Sequence, residues 1–155
     1  MLFSSPWKRK FFLLLGESQN LDGVEHDLIR GLGSYDEPLI HFAVNCASIG
    51  CPALLDEAFE AEKLDQQLLE STERFLNDRS RNRFDARTGT LEISSIFDWY
   101  AEDFSKGWRG YDSQHDFFRT HGDWIADDAE SAEKLREAAL RIEFLDYDWS
   151  LNTLR

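Results

Sequence analysis

Leu39-Ile40-His41-Phe42-Ala43-Val44-Asn45, followed at once by Cys46-Ala47-Ser48-Ile49-Gly50-Cys51-Pro52, is the stretch on which the fold turns. The first seven residues are apolar and rich in strand formers. They predict a short central strand, with Ile40, Phe42 and Val44 on one face and His41, Ala43 and Asn45 on the other. The next six residues reverse the chain. Pro52 suits the first position of a helix, which would place Cys51 at its N-cap.

Upstream, Phe11 to Leu15 is a five-residue apolar run that predicts a buried strand or the end of one. It is shorter than the ~7–15 residues of a signal h-region. Residues 21–32 have helical spacing, with Leu21, Val24, Leu28 and Leu32 on one stripe and Gly31 and Gly33 ending it. Downstream, an amphipathic helix is expected from about Glu62 to Leu76, with Leu64, Leu68, Thr72 and Phe75 facing inward. A hairpin is expected near 83–93, turning at Thr88-Gly89. Ser94 or Ser95 then caps a helix carrying Ile96, Phe97, Tyr100 and Phe104. Helices near 112–120 and 131–141 precede a C-terminal strand near 142–145. Strands scattered among helices predict the α+β class, a small sheet packed by several helices in a single domain over 1–155.

Composition supports a conventional core. The chain has 12 Phe, 5 Trp and 4 Tyr, so large apolar surface is at hand without metals or a disulfide scaffold. A formal charge of −13 opposes nucleic acid and anionic membranes as partners. Two basic clusters stand against it, Lys8-Arg9-Lys10 and the run Arg79, Arg81, Arg83, Arg87. On a strand, residues 79, 81 and 83 would share a face able to hold a phosphate or carboxylate, or simply be solvated. No segment reaches the ~18 apolar residues of a spanning helix. No compartment is indicated.

Chemistry concentrates between Asp22 and Cys51. Only the thiolate of a cysteine is nucleophilic, and a helix N-terminus favours it, so Cys51 is the first candidate. Cys46, on the face of Phe42 and Val44, fits a core or binding position. Fully extended, the two cysteines would lie ~17 Å apart, so only a tight turn could bridge them, and a disulfide, possible in an oxidising compartment, is not the default expectation. A thiol needs a base. His41 is on the strand leading into the turn; His26 projects away from the apolar stripe of the preceding helix, with Arg30 one turn further on. Glu25 falls inside that stripe at 100° per residue, where a carboxylate must be paired or protonated. His115 and His121 read as surface. Cys46, Cys51, His26 and His41 have zinc-ligand types but no common zinc spacing, and neither metal nor cofactor is expected.

Four stretches, Leu21–Arg30, Ile40–Leu54, Leu91–Phe104 and Ile142–Asn152, resemble in order and spacing the family known as domain of unknown function 547. The resemblance runs from about Ser5 to Asn152. It singles out Glu25, His26, Arg30, His41, Cys46, Cys51 and Pro52. Members of that family usually carry an upstream helical half with a W-x-N-x-Y-N-A stretch. The resemblance therefore implies that 1–155 is the C-terminal two-thirds of a larger domain, whose missing half or another protein would be a partner.

The reading these observations favour is a cysteine-dependent hydrolase or acyl-transfer domain acting on a small molecule or peptide. Cys51 would be the nucleophile, His41 or His26 the base, and Glu25 or Asp148 the orienting carboxylate. Arg30, Asn45 and Cys46 would bind, and backbone N–H groups of the 51–54 turn would stabilise the oxyanion. The alternative is a non-catalytic peptide- or protein-binding module in which the thiols only pack.

Overall fold

The computed structural model describes residues 6–31, 33 and 35–153; Leu32, the last residue of the predicted apolar stripe, lies outside them. The chain forms two compact units, Met1–Glu37 and Pro38–Arg155. Elements are α-helical and β-stranded in mixed order, the predicted α+β class. Among the described residues no helix is long and apolar enough to cross a membrane.

In the first unit, β1 (Phe12–Leu14) pairs antiparallel with β2 (Glu17–Gln19). The two-residue turn between them places Leu15 and Gly16 at φ 53° and 85°. Positive φ at both positions is what a tight hairpin of right-handed twist requires. The strand predicted at Phe11–Leu15 is therefore present, but it is not buried, since Leu13 is 76% and Leu15 93% exposed. Asn20 caps the next helix, α1 (Leu21–Gly23), its side-chain oxygen accepting from the Gly23 N–H at 2.7 Å.

That helix continues as a π-helical turn, Val24–Ile29, closed by the Arg30 N–H on the Glu25 carbonyl at 3.0 Å. The wider turn changes which side chains share a face, so counting at 100° per residue misplaces Glu25. Its side chain is 27% exposed and lies 4.0 Å from His26 Nε2 instead of inside a buried stripe.

In the second unit, the segment predicted as a central strand is a 3₁₀ helix, Pro38–Phe42. The reason is local. Pro38 fixes φ and has no N–H for a sheet ladder, which disqualifies it from a central strand. Leu39 and Phe42, three apart, share one face of a 3₁₀ turn, and both are fully buried. Phe42 enters an aromatic core with Phe75, Phe97, Phe104 and Phe117, at centroid distances of 5.2, 5.6, 6.0 and 6.0 Å.

The sheet is β3 (Arg83–Asp85), β4 (Thr90–Ser94) and β5 (Arg141–Leu145), in that order. The predicted hairpin and C-terminal strand are both present. β3 and β4 are antiparallel, while β5 lies parallel to β4 with Leu91 opposite Ile142 and Ile93 opposite Phe144. A parallel pair needs a long crossover, here built from the helices between β4 and β5. They are α3 (Ile96–Trp99), a 3₁₀ turn (Ala101–Phe104), α4 (Gln114–Thr120), α5 (Gly122–Ile125) and α6 (Ala129–Glu137). Side-chain caps from Ser113 and Asp128 start α4 and α6. The predicted amphipathic helix is α2 (Leu64–Leu76), burying Leu68, Thr72 and Phe75.

The arginine run forms no binding face, because the strand begins only at Arg83. Arg79 donates to the Leu76, Trp124 and Ala126 carbonyls and pairs with Asp127. Arg83 pairs across the hairpin with Glu92, whose carboxyl it holds below the usual range. Arg87 pairs with Asp85.

His121, expected at the surface, is 7% exposed. It stacks on Trp124 at 4.4 Å and shares a 2.9 Å hydrogen bond with the Tyr111 hydroxyl. Burial, with a smaller contribution from the Arg109 charge, lowers its pKa to about 4 and keeps it neutral.

Candidate functional site

The loop Asn45–Pro52 is closed on itself in three ways. Cys46 and Cys51 are joined by a disulfide, with their Cα atoms 6.2 Å apart. The Asn45 side chain spans the loop ends, donating to the Pro52 carbonyl at 2.6 Å and accepting from the Ala47 N–H at 2.6 Å. The Cys51 N–H donates to the Ser48 carbonyl at 3.2 Å. Ala47 is held at φ 63°, a left-handed conformation that costs a non-glycine residue about 1 kcal/mol.

From outside, Arg81 grips the same loop. Its guanidinium donates to the Ile49 and Cys51 carbonyls, both at 2.7 Å. The C-terminal segment laces onto the opposite edge. Ile49 N–H donates to the Ser150 carbonyl at 2.8 Å, Gly50 N–H to the Asp148 carbonyl at 2.9 Å, and Asn152 N–H to the Ala47 carbonyl at 2.8 Å. Ser48 and Leu151 form the bridge of this short antiparallel ribbon.

The ribbon delivers Tyr147 onto the disulfide. Its ring lies so close to Gly50 that a Cβ there would meet ring atoms at 2.7, 2.7 and 2.9 Å. The Tyr147 hydroxyl donates to Cys51 Sγ at 3.2 Å and lies 3.4 Å from Cys46 Sγ. Ser48 Oγ lies 3.4 Å from Cys51 Sγ, 3.2 Å from Cys46 Sγ and 3.0 Å from the Tyr147 hydroxyl. Both hydroxyls therefore straddle the sulfur pair. The Cys46 backbone N–H breaks the symmetry by pointing at Cys51 Sγ, at 2.8 Å. Burial breaks it further, because Cys51 is 6% exposed while Cys46 is only half-buried.

Several predicted roles change. Cys51 does not cap a helix: residues 52–55 have no regular structure and α2 begins only at Leu64. Cys51 Sγ is met by the Cys46 N–H and by the Tyr147 and Ser48 hydroxyls, not by a helix terminus. The 51–54 turn is a poor oxyanion hole, because the Cys51 N–H is spent on Ser48 and Pro52 has none. Cys46 is not simply core, being bonded to Cys51. Asp148 is exposed and its carboxylate accepts from the Ser150 N–H at 2.8 Å, so it shapes the ribbon.

His41 is buried and hydrogen-bonded to a carboxylate that the spacing did not pick. Its Nε2 lies 2.9 Å from Asp103 Oδ2, both side chains being 3% exposed, and its ring stacks on Tyr100 at 3.9 Å. Lys106 donates to the other Asp103 oxygen at 2.8 Å. Asp103 stood in one of the four family-like stretches, and its place between core residues Tyr100 and Phe104 was the available signal.

In the first unit, Glu25, His26 and Arg30 do come together on the π-helical turn. Arg30 Nη1 lies 3.0 Å from His26 Nδ1. Arginine can only donate, so Nδ1 accepts and the neutral ring carries its proton on Nε2, toward Glu25. Among the described residues no three or more His, Cys, Asp or Glu side chains gather as a metal-ligand set.

The residues that touch the loop come from two of the four stretches, 40–54 and 142–152, together with Arg81 from outside them. Residues 2–76 match DUF547, a protein family of unknown function. The DUF547 match covers the Glu25–His26–Arg30 turn, His41 and the whole cysteine loop, and ends at the last residue of α2. The two later stretches, which supply Asp103 and Tyr147, lie beyond it. No curated protein and no solved structure matches the chain.

Proposed function

We propose that the chain is a cysteine-dependent hydrolase or acyl-transfer domain in which reduced Cys51 is the nucleophile. The observation that carries this reading is the convergence of the Cys46 N–H, the Ser48 hydroxyl and the Tyr147 hydroxyl on Cys51 Sγ. Burial alone disfavours a thiolate, whereas hydrogen bonds to the charged form favour it. Each bond to a charged group contributes about 1.5–3 kcal/mol. The Cys46 N–H and the Tyr147 hydroxyl act against the desolvation of the sulfur, with the single Ser48 proton placed between Cys51 Sγ and the Tyr147 oxygen.

In the reaction, the Cys51 thiolate attacks a carbonyl carbon and the acyl group passes to sulfur as a thioester. The leaving alcohol, thiol or amine takes up a proton. Water or a second nucleophile then releases the acyl group and restores the thiolate. His41, oriented by Asp103, takes the role of proton carrier. It is favoured over His26 because it lies in the same compact unit as Cys51. Alkylation of the reduced protein against pH, in Cys46→Ser and Cys51→Ser variants, tests the nucleophile. Cys51 should react with a midpoint well below the ~8.5 of a free thiol. A midpoint at the free-thiol value removes the reading's support.

A second reading, a peptide- or protein-binding module, has one specific observation behind it. Trp99, Tyr147 and Trp149 form a mutually packed triad with centroids 4.6–5.4 Å apart. Trp149 is 67% exposed, and Leu54 and Leu151 are exposed as well. Exposed aromatic clusters of this kind mark recognition surfaces. Loss of partner capture in Trp149→Ala, with Cys51 chemistry unchanged, would favour it.

A further inference from the structure

The cysteine loop carries more than a nucleophile, because the two sulfurs are bonded to each other and are unequal. Cys51 is buried and receives the Cys46 backbone N–H, whereas Cys46 is half-buried. In thiol–disulfide exchange an incoming thiolate attacks the accessible sulfur, and the sulfur best able to hold negative charge departs. Both criteria choose the same polarity here.

We propose that Cys46–Cys51 is a redox-active disulfide that a dithiol reductant opens by attack on Cys46 Sγ, with Cys51 departing as the thiolate. It rests on the reading of Cys51 as a stabilised thiolate, and adds that its acyl-transfer chemistry exists only in the reduced state. The step balances. One thiolate of the reductant forms a mixed disulfide with Cys46, and the Cys46–Cys51 bond breaks with both electrons on Cys51. The reductant's second thiolate then displaces Cys46 as it closes its own disulfide. Two electrons pass to the protein, the reductant is oxidised by two, and protons from solvent complete the thiols.

The loop is built so that opening leaves its frame standing. Asn45, Arg81 and the 147–152 ribbon hold the backbone through bonds that do not involve sulfur. After cleavage the Ser48 and Tyr147 hydroxyls and the Cys46 N–H are already positioned around Cys51. The αL strain at Ala47 is carried in the closed loop by these same contacts.

The experiment uses the folded full chain. Equilibrated with mixtures of reduced and oxidised dithiothreitol, then acid-quenched and alkylated, it should show reversible two-electron opening without loss of fold. With the monothiol glutathione, peptide mass analysis should find the adduct on Cys46. Tyr147→Phe removes one charge-assisted bond and should shift the equilibrium about tenfold toward the disulfide, about 30 mV for a two-electron couple. Ser48→Ala should shift it in the same direction and guards against a packing defect in the first variant. A pair that opens only on unfolding, an adduct on Cys51, or no shift in either variant would each overturn the proposal. Failure of the acyl-transfer reading alone looks different: the pair cycles with these shifts, but reduced Cys51 forms no thioester with an activated ester.

Discussion

Gly50→Ala is the sharpest single perturbation of the site, because two opposite effects compete and the geometry decides between them. Gly50 is absent from the positive-φ residues, so its backbone is accessible to alanine. At such a position, replacing glycine normally stabilises by about 0.4–1 kcal/mol through the unfolded chain. Against this, the new Cβ would lie 2.7, 2.7 and 2.9 Å from three atoms of the Tyr147 ring, inside contact distance. The ring cannot yield freely, since its hydroxyl is bonded to Ser48 and Cys51 and its faces meet Trp99 and Trp149. Overpacking of this kind costs about 1–3 kcal/mol, so the net effect is a loss of about 1–2 kcal/mol. Urea unfolding of the oxidised protein measures it as a drop in midpoint at constant slope. Alkylation of reduced Cys51 should also slow at neutral pH as Tyr147 is displaced. A variant as stable as the parent, or more so, would show that Tyr147 does not press on this loop.

Three further outcomes follow from the same geometry. Arg81→Ala removes two charge-assisted bonds to loop carbonyls and should destabilise by about 2–3 kcal/mol, read in the same unfolding assay, with Arg81→Lys restoring only part. Asp103→Ala leaves buried His41 and the Lys106 ammonium without their shared carboxylate and should cost about 3 kcal/mol. His121, with its pKa lowered to about 4 against 6.5, contributes stability present above pH 6.5 and lost as pH falls toward 4. His121→Phe should therefore flatten the stability–pH profile in that window by the equivalent of up to one proton, about 1.4 kcal/mol per pH unit. An unchanged slope would mean His121 is not held neutral by the fold.

Where periodicity was long and its partners local, the elements were legible. The α2 helix, the 83–94 hairpin and the β5 strand all follow from spacing and turn chemistry that act over a few residues. The segment 39–45 was misleading for a physical reason. Its apolar content satisfied a strand pattern, but Pro38 at its head and the Leu39–Phe42 spacing of three satisfied a 3₁₀ turn as well. Pro38 tips the local balance toward the turn, and packing of Phe42 against Phe75, Phe97 and Phe117, thirty to eighty residues away, adds to it. The π-helical turn was similarly hidden. The mutual placement of Glu25, His26 and Arg30 depends on a hydrogen-bond register that side-chain periodicity does not encode.

The site itself divides along the same line. Cys46, Cys51, Asn45 and His41 were visible because they crowd one short segment, whereas Arg81 and Tyr147 reach the loop, and Asp103 reaches His41, only through the fold. On the proposed reading, Tyr147 and the Cys46 N–H distinguish Cys51 from an inert buried thiol, and Arg81, Asn45 and the C-terminal ribbon frame the loop independently of sulfur. A loop needing only a crosslink would not require a tyrosine hydroxyl brought from ninety-six residues away to lie on its sulfurs. Hydroxyl donors gain most from sulfur when it carries negative charge, so their placement makes sense for a state in which the disulfide is open.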